Sequence, residues 1–316
     1  PPAVPDVALP RPLGDRVAGL AFQNPILLAS GTAGYGHELR EVVDLDRLGG
    51  IVTKAVSVEP RKGNPAMRVA EFPGGMINAV GLANPGVEAV RAEHLPRLAA
   101  LVERARVLVN VVGFAVEEFA HVVERLDDAP GVDGFELNVS CPNVKAGGAE
   151  FGADPVMLRR VVDGARRATR KPLVVKLSPV LPSVADAART AVDAGADALT
   201  LVNTIPGLVV DVERRRPALG FGSGGVSGAG LVPVGVLATW RVPLAVAVPI
   251  VGLGGVRGAT DALQYLLAGA SLVGMGTAAM QDPRAPERTV RDLARWCDRH
   301  GVRDLSTLVG TLEWPR

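Results

Sequence analysis

Lys54 and Lys176 stand inside two strongly apolar runs, Ile51-Val52-Thr53-Lys54-Ala55 and Leu173-Val174-Val175-Lys176-Leu177. A buried ammonium costs on the order of several kcal/mol unless an anion or hydrogen-bond acceptors meet it. One such lysine is explained by a strand end that reaches water; two at the same stage of separate runs point to a bound anionic ligand. Asn110, Asn138 and Asn203 close three further apolar runs. A lone asparagine there is a strand cap or turn former, but three at equivalent places offer paired donors and acceptors to the imide and carbonyl edges of a planar heterocycle. Cys141 follows one of these runs, in Asn138-Val139-Ser140-Cys141-Pro142-Asn143, on a polar segment containing Gly147, Gly148 and Gly152. A thiol with an ordinary pKa near ~8.5 can serve there as a general base. Cys297, within Arg295-Trp296-Cys297-Asp298, reads instead as a buried structural cysteine.

Two glycine-bearing pairs, Gly254-Gly255 and Gly276-Thr277, each end an apolar run and lead into a helical pattern. Singly they are plain turns. At successive run ends they suit an anion such as phosphate, which exposed backbone N–H groups bind. The four histidines show no grouping, His37 reads as a surface residue at a helix start, and neither a Ser-His-Asp set nor metal-ligand spacing is present, so no metal is expected.

These residues need a scaffold that brings many run ends to one place. Short Val/Ile/Leu-rich runs at 26–29, 51–55, 107–112, 134–139, 173–177, 198–202, 250–252 and 271–275 alternate with helical patterns at 38–48, 86–104, 116–126, 155–169, 184–194, 231–240, 259–268 and 286–300. Parallel strands linked by helices are the pattern, and closing eight of them removes two long open edges. The fold expected is α/β, a (β/α)8 TIM barrel forming a single domain over residues 1–316, with long active-site loops at its C-terminal face. Three connections, 56–86, 140–154 and 203–228, are long for such a fold and all follow strand ends.

Composition excludes several classes. With 34 Lys+Arg against 33 Asp+Glu, interspersed, there is no footprint for nucleic acid, and the Arg214-Arg215-Arg216 run is too short for an interaction tail. Two cysteines give no disulfide framework, which suits the cytosol. The stretch 242–256 is too short and too rich in proline and glycine to span a membrane, and Pro-Pro-Ala-Val-Pro-Asp at the N-terminus has no signal-peptide character.

The segment Met76-Ile77-Asn78-Ala79-Val80-Gly81-Leu82-Ala83-Asn84-Pro85-Gly86 resembles the substrate loop of the dihydroorotate dehydrogenases, and 138–143 resembles their base-carrying motif; the likeness runs from Asn24-Pro25 through Gly276-Thr277. The resemblance implies an FMN flavoprotein held by Ser30, Lys54, Ala55, Asn110, Asn138, Lys176, Val202, Gly228, Gly254, Gly255, Gly276 and Thr277. It implies substrate contacts from Lys54, Asn78, Ala79, Val80, Gly81, Leu82, Asn138, Asn143, Asn203 and Thr204, with Cys141, Lys54 and Lys176 as the catalytic set. The activity implied is oxidation of (S)-dihydroorotate to orotate in pyrimidine biosynthesis. Cys141 would take the C5 proton, the C6 hydride would pass to the flavin, and Lys176 would stabilise negative charge on the reduced ring.

A cysteine base resembles class 1 rather than the membrane-associated class 2, which carries serine. Val144-Lys145-Ala146-Gly147-Gly148 with Phe151-Gly152, and Glu59-Pro60-Arg61 with Gly63-Asn64-Pro65, are similar to class 1B. That class implies a homodimer core in a heterotetramer, with an iron-sulfur flavoprotein subunit carrying FAD and a 2Fe-2S cluster and passing electrons to NAD+. Gly228-Ala229 and Ile205-Pro206-Gly207-Leu208 depart from the usual pattern, in the substrate lid rather than at the base or phosphate groups. Three rivals predict different behaviour. A class 1A homodimer would turn over with fumarate, a tRNA dihydrouridine synthase would need a basic RNA-facing surface and an added helical domain, and a non-enzymatic docking barrel would have no use for costly polar groups at one rim.

Overall fold

The computed structural model describes residues 17–140 and 151–315. Each short apolar run forms a strand because its β-branched residues suit a pleat buried on both faces. The strands are β1 (Ile26–Leu28), β2 (Gly50–Val52), β3 (Arg106–Val111), β4 (Gly134–Asn138), β5 (Leu173–Leu177), β6 (Ala198–Leu201), β7 (Ile250–Leu253) and β8 (Leu272–Met275). Each pairs in parallel with the next, and β8 closes on β1 through Ile26↔Val273, so the barrel is complete.

Helices α1 (Val116–Leu126), α2 (Pro155–Ala168), α3 (Val184–Asp193), α4 (Val232–Arg241), α5 (Ala259–Ala268) and α6 (Ala285–His300) surround it. Their starts are written locally: the Asp154 carboxylate accepts from the N–H groups of Val156 and Met157 ahead of α2, and Ser183 Oγ accepts from Asp186 N ahead of α3. Strand residues alternate between two environments. Val109, Val111, Phe135, Leu137, Val175 and Leu177 pack outward against helix residues such as Phe119, Val122, Leu158 and Val161. Val52, Leu108, Val174 and Ala198 form a separate small cluster that Ala18 and Leu20 cover. Two residues further along β3, β5 and β6, on that same inward face, come Asn110, Lys176 and Thr200.

Four expectations are corrected. Instead of a helix over 38–48 there are two short 3-10 turns, His37–Leu39 and Leu45–Arg47. Gly34 and Gly36 at positive φ break the chain before a helix can start, and Asp44 caps the second turn by accepting from Asp46 N. The helix over 86–104 is shorter and contains a π turn, Val90–His94, between Val87–Ala89 and Leu95–Ala99. Pro96 has no N–H to continue the α ladder, and just before it Leu95 N donates to Val90 O.

The connections 56–86 and 203–228 are not plain loops: Val69–Phe72, Gly75–Asn78, Ile205–Gly207 and Gly224–Ser227 form one four-stranded antiparallel sheet. Finally, His37 and His94 are grouped, their Nε2 and Nδ1 lying 2.9 Å apart. Burial, then the neighbouring His37, lowers the pKa of His94.

The turn after β1 is tied to the start of β3 by Asp46, whose Oδ1 accepts from the N–H groups of Glu103, Arg104 and Ala105 at 2.8, 2.7 and 2.9 Å. Burial pushes this carboxyl upward, but the three backbone donors and the Arg104 guanidinium outweigh it and hold it below the usual range. A lowered folded pKa means a contribution fully present above the unfolded value near ~3.9 and lost as pH falls through the folded one. Asp46→Asn is therefore expected to lower unfolding free energy by about 1 kcal/mol at neutral pH. In urea titrations that difference should close below about pH 4.

Candidate functional site

The C-terminal ends of the strands surround one cleft whose floor is polar although the barrel beneath it is apolar. Lys176 on β5 is buried, and its Nζ donates to Ser30 Oγ, just past β1, at 3.0 Å. Its counter-charge is Glu136 on β4, with Lys176 Nζ 4.0 Å from Oε1. Glu136 is itself 2% exposed and accepts from Asn110 Nδ2 at 2.7 Å and from Thr200 Oγ1 at 2.8 Å. Asn110 lines the same floor, and its buried Oδ1 has no hydrogen-bond partner. A buried carbonyl oxygen left in that state is costly, and a ligand N–H over the floor would satisfy it.

Above the floor a second polar cluster sits where the segment containing Cys141 departs from β4. Asn203 Nδ2 donates to Ser140 Oγ at 2.8 Å and to Asn138 Oδ1 at 3.3 Å, and Asn203 Oδ1 accepts from Thr204 N at 2.9 Å. Asn138 Oδ1 also accepts from Ser140 Oγ, so the amide hydrogens are what Asn138 retains for a ligand. Backbone bonds pin this edge: Val202 N donates to Leu253 O, and Asn203 N to Leu177 O. Lys54, just beyond β2, lines the cleft opposite, and its ammonium has no ion pair among the described residues.

The antiparallel sheet forms one wall. Asn78 lines the cleft and donates to Gly225 O across the sheet, and Val80 and Leu82 follow it into the cleft. Asn84 sets this turn by accepting from Ser57 N and Gly86 N while donating to Ser57 Oγ and Leu82 O. Gly81 has φ +73°, and a Cβ there would stand 2.5 Å from Asn64 N. On the far side Thr277 Oγ1 donates to Ser227 Oγ, and Gly254, Gly255 and Gly276 line the cleft. A Cβ on Gly255 would meet Gly228 O at 2.6 Å and Val232 N at 2.8 Å, so this turn packs backbone against backbone with no room for a side chain. Tyr265 fixes this turn from behind by donating to Gly254 O at 2.7 Å.

Among the residues singled out from the sequence, Ser30, Lys54, Ala55, Asn110, Asn138, Lys176, Val202, Gly254, Gly255, Gly276 and Thr277 all line the cleft, as do Asn78, Val80, Leu82, Asn203 and Thr204. Three do not. Ala79 is buried in the small core of Ile77 and Leu219, Gly81 packs on Asn64, and Gly228 lies against Gly75. Cys141 and Asn143 lie outside the described residues. Cys297 is fully buried in the helix-facing core, as its position on α6 suggested, and burial pushes its thiol pKa up.

Sequence reasoning passed over Glu136, Ser140, Asn84 and Ser227. Glu136 had a visible signal: an acid within Gly134-Phe135-Glu136-Leu137-Asn138, two residues before a singled-out asparagine and therefore on its face of the strand.

Comparison with known proteins identifies relatives of the whole chain. The family model described as dihydroorotate dehydrogenase matches residues 13–296. The chain is 49% identical over 297 residues to the Pelobacter propionicus "Dihydroorotate dehydrogenase B (NAD(+)), catalytic subunit", covering 94% of this chain and 97% of that one. It is 47% identical over 302 residues to a Solibacter usitatus chain provisionally named dihydroorotate dehydrogenase A (fumarate), covering 96% and 99%. Among solved structures, the Eimeria tenella DHODH in complex with ferulenol shares the fold, with a TM-score of 0.82 at 22% identity, covering 98% of this chain and 91% of that one.

The Gly254 turn offers a direct test. A Cβ on Gly235 would stand 1.9 Å from Tyr265 Oη and 2.9 Å from Cζ. Gly235→Ala is expected to lose about 1–3 kcal/mol in chemical denaturation by forcing the phenol off Gly254 O. Gly235→Ala combined with Tyr265→Phe should recover part of that loss, since the hydroxyl is the closer clash.

Proposed function

Because this chain belongs to the dihydroorotate dehydrogenase family, we propose that it oxidises (S)-dihydroorotate to orotate with FMN in this cleft and passes the electrons to NAD+ through a partner subunit. The observation that carries the reading is the convergence of Lys54, Asn110, Asn138, Lys176 and Asn203, one each from β2 through β6, on a single cleft. The residues fit FMN. Asn110 Oδ1 lacks a donor, Lys176 offers a positive charge at the floor, and the turns at Gly254-Gly255 and Gly276-Thr277 leave open backbone for a phosphate.

Lys176, Ser30, Ala55, Asn110 and Val202 would hold the ring, and Gly254, Gly255, Gly276 and Thr277 the phosphate. When bound, FMN supplies the acceptor for the hydride that leaves C6 of the substrate. Lys54, Asn78, Asn138, Asn203 and Thr204, with Asn143, orient the substrate's carboxylate and imide, which lowers the entropic part of the barrier. Cys141 takes the C5 proton, and the Asn138–Ser140–Asn203 cluster anchors the start of its segment. Lys176 holds positive charge where electron density accumulates.

The NAD+ assignment is supported by the name of the Pelobacter relative and by the class 1B likeness of residues 59–65 and 144–152. It carries with it an iron-sulfur flavoprotein partner, a homodimeric core and the cytoplasm as the compartment. Among the described residues no helix is long and apolar enough to cross a membrane. The Solibacter relative favours a second reading, a class 1A enzyme. Steady-state turnover by the purified chain alone separates the two: fumarate-dependent orotate formation selects class 1A, and its absence, with NAD+ reduction restored by the partner, selects class 1B.

The primary experiment is anaerobic mixing of FMN-loaded chain with dihydroorotate. Bleaching of the yellow flavin band is the expected outcome, and a protein that stays oxidised, alone and with its partner, overturns the substrate assignment. Cys141→Ala should retain FMN but lose most turnover, on the order of 100-fold or more for a missing general base. Flavin reduction at the wild-type rate in that variant would remove Cys141 from the role.

A further inference from the structure

Glu136 does not line the cleft, yet every polar contact it makes is to a residue that forms the floor or stands beside it. A carboxylate at neutral pH only accepts hydrogen bonds. The Asn110 amide must therefore turn Nδ2 toward Glu136, which leaves Oδ1 as the buried, unpartnered end of a side chain that lines the cleft. Thr200 Oγ1 donates to the other carboxylate oxygen, so Glu136 is held from both sides and cannot follow Lys176 if that side chain moves. Lys176, 4.0 Å away and bonded to Ser30, is thus kept extended across the barrel toward β1 with its charge partly offset.

From this geometry we infer that Glu136 is a positioning residue that sets the polarity of the cleft floor: it fixes Asn110 as a hydrogen-bond acceptor and Lys176 as a donor of moderated charge. The floor so written matches a ring edge on which an N–H stands near a carbonyl, and rejects one with two acceptors, because a second acceptor would face Asn110 Oδ1. The inference rests on the reading of the cleft as an FMN site. In a dry interior a removed negative charge is felt strongly at a neighbouring site, so without Glu136 the full Lys176 charge acts on the ring and favours its reduced form.

Two variants read the two parts separately. In Glu136→Gln the side-chain carbonyl still accepts from Asn110, so FMN affinity, from fluorescence quenching during reconstitution of stripped protein, is expected to stay within about threefold of wild type. The midpoint potential of bound FMN, from titration with a chemical reductant against a redox dye, is expected to move positive. The expected size is about tenfold in the oxidised–reduced equilibrium, or about 30 mV for a two-electron couple. A potential at or below the wild-type value overturns the inference, whereas a merely structural carboxylate would change the unfolding midpoint and leave the potential alone.

Glu136→Leu removes the acceptor and should weaken FMN binding at least tenfold; a folded Leu variant with wild-type affinity also overturns it. Should the Leu variant not fold, the potential of Glu136→Gln decides. FMN-loaded wild type that dihydroorotate fails to bleach overturns the substrate reading alone, because these potentials are set with a chemical reductant. Wild type that takes up no FMN overturns both.

Discussion

A closed parallel barrel must fill its interior with side chains, and here the filling changes character within one strand step. Val52, Leu108, Val174 and Ala198 make a small apolar layer, and the next inward positions on the neighbouring strands hold Asn110, Glu136, Lys176 and Thr200. A carboxylate and an ammonium removed from water persist only if hydrogen bonds satisfy their remaining capacity, and the closed ring of strands supplies those partners from β3, β4, β5, β6 and the turn after β1. The rest of the site depends on this layer. It converts an apolar barrel into a floor with defined donors and acceptors while keeping water from reaching it from below.

The walls are built by a different device. The connections after β2 and β6 are far apart in sequence, yet they pair as one antiparallel sheet through Gly225↔Asn78 and Val226↔Ile77. That pairing satisfies the backbone of two long excursions at once and gives them a core of their own in Ile77, Ala79 and Leu219. Residues on the sheet, such as Asn78 and Ser227, therefore face the cleft from a rigid element rather than from free loops. Close packing at Gly228, Gly255 and Gly235 completes the enclosure, since each brings backbone or an aromatic ring to where a Cβ would stand.

How much of this was legible can be argued from particular residues. The lysines in apolar runs and the asparagines at run ends were readable because strand periodicity and the cost of buried charge act locally. Those residues do meet in one cleft. The helix expected over 38–48 was not, because its amphipathic pattern was overruled by positive φ at Gly34 and Gly36 and by the Asp44 cap. The hairpin of Val69–Phe72 and Gly75–Asn78 had a local signal in the Pro73-Gly74 turn between its strands, but its partner strands lie more than a hundred residues away. The His37–His94 contact likewise joins residues 57 apart, with nothing in either neighbourhood to announce the other.

The sequence by itself determined the strand-helix alternation, the barrel, the family and most of the residues at its C-terminal rim, because period, propensity and a charged residue in an apolar run are properties of short stretches of chain. Tertiary structure alone decided which way the amide of Asn110 turns, what offsets the charge of Lys176, and that two distant loops become one wall. Those outcomes depend on which groups meet across the closed barrel: Glu136 receives Asn110 and Thr200 from neighbours 26 and 64 residues away. No local pattern encodes a hydrogen bond whose partner is supplied by closure.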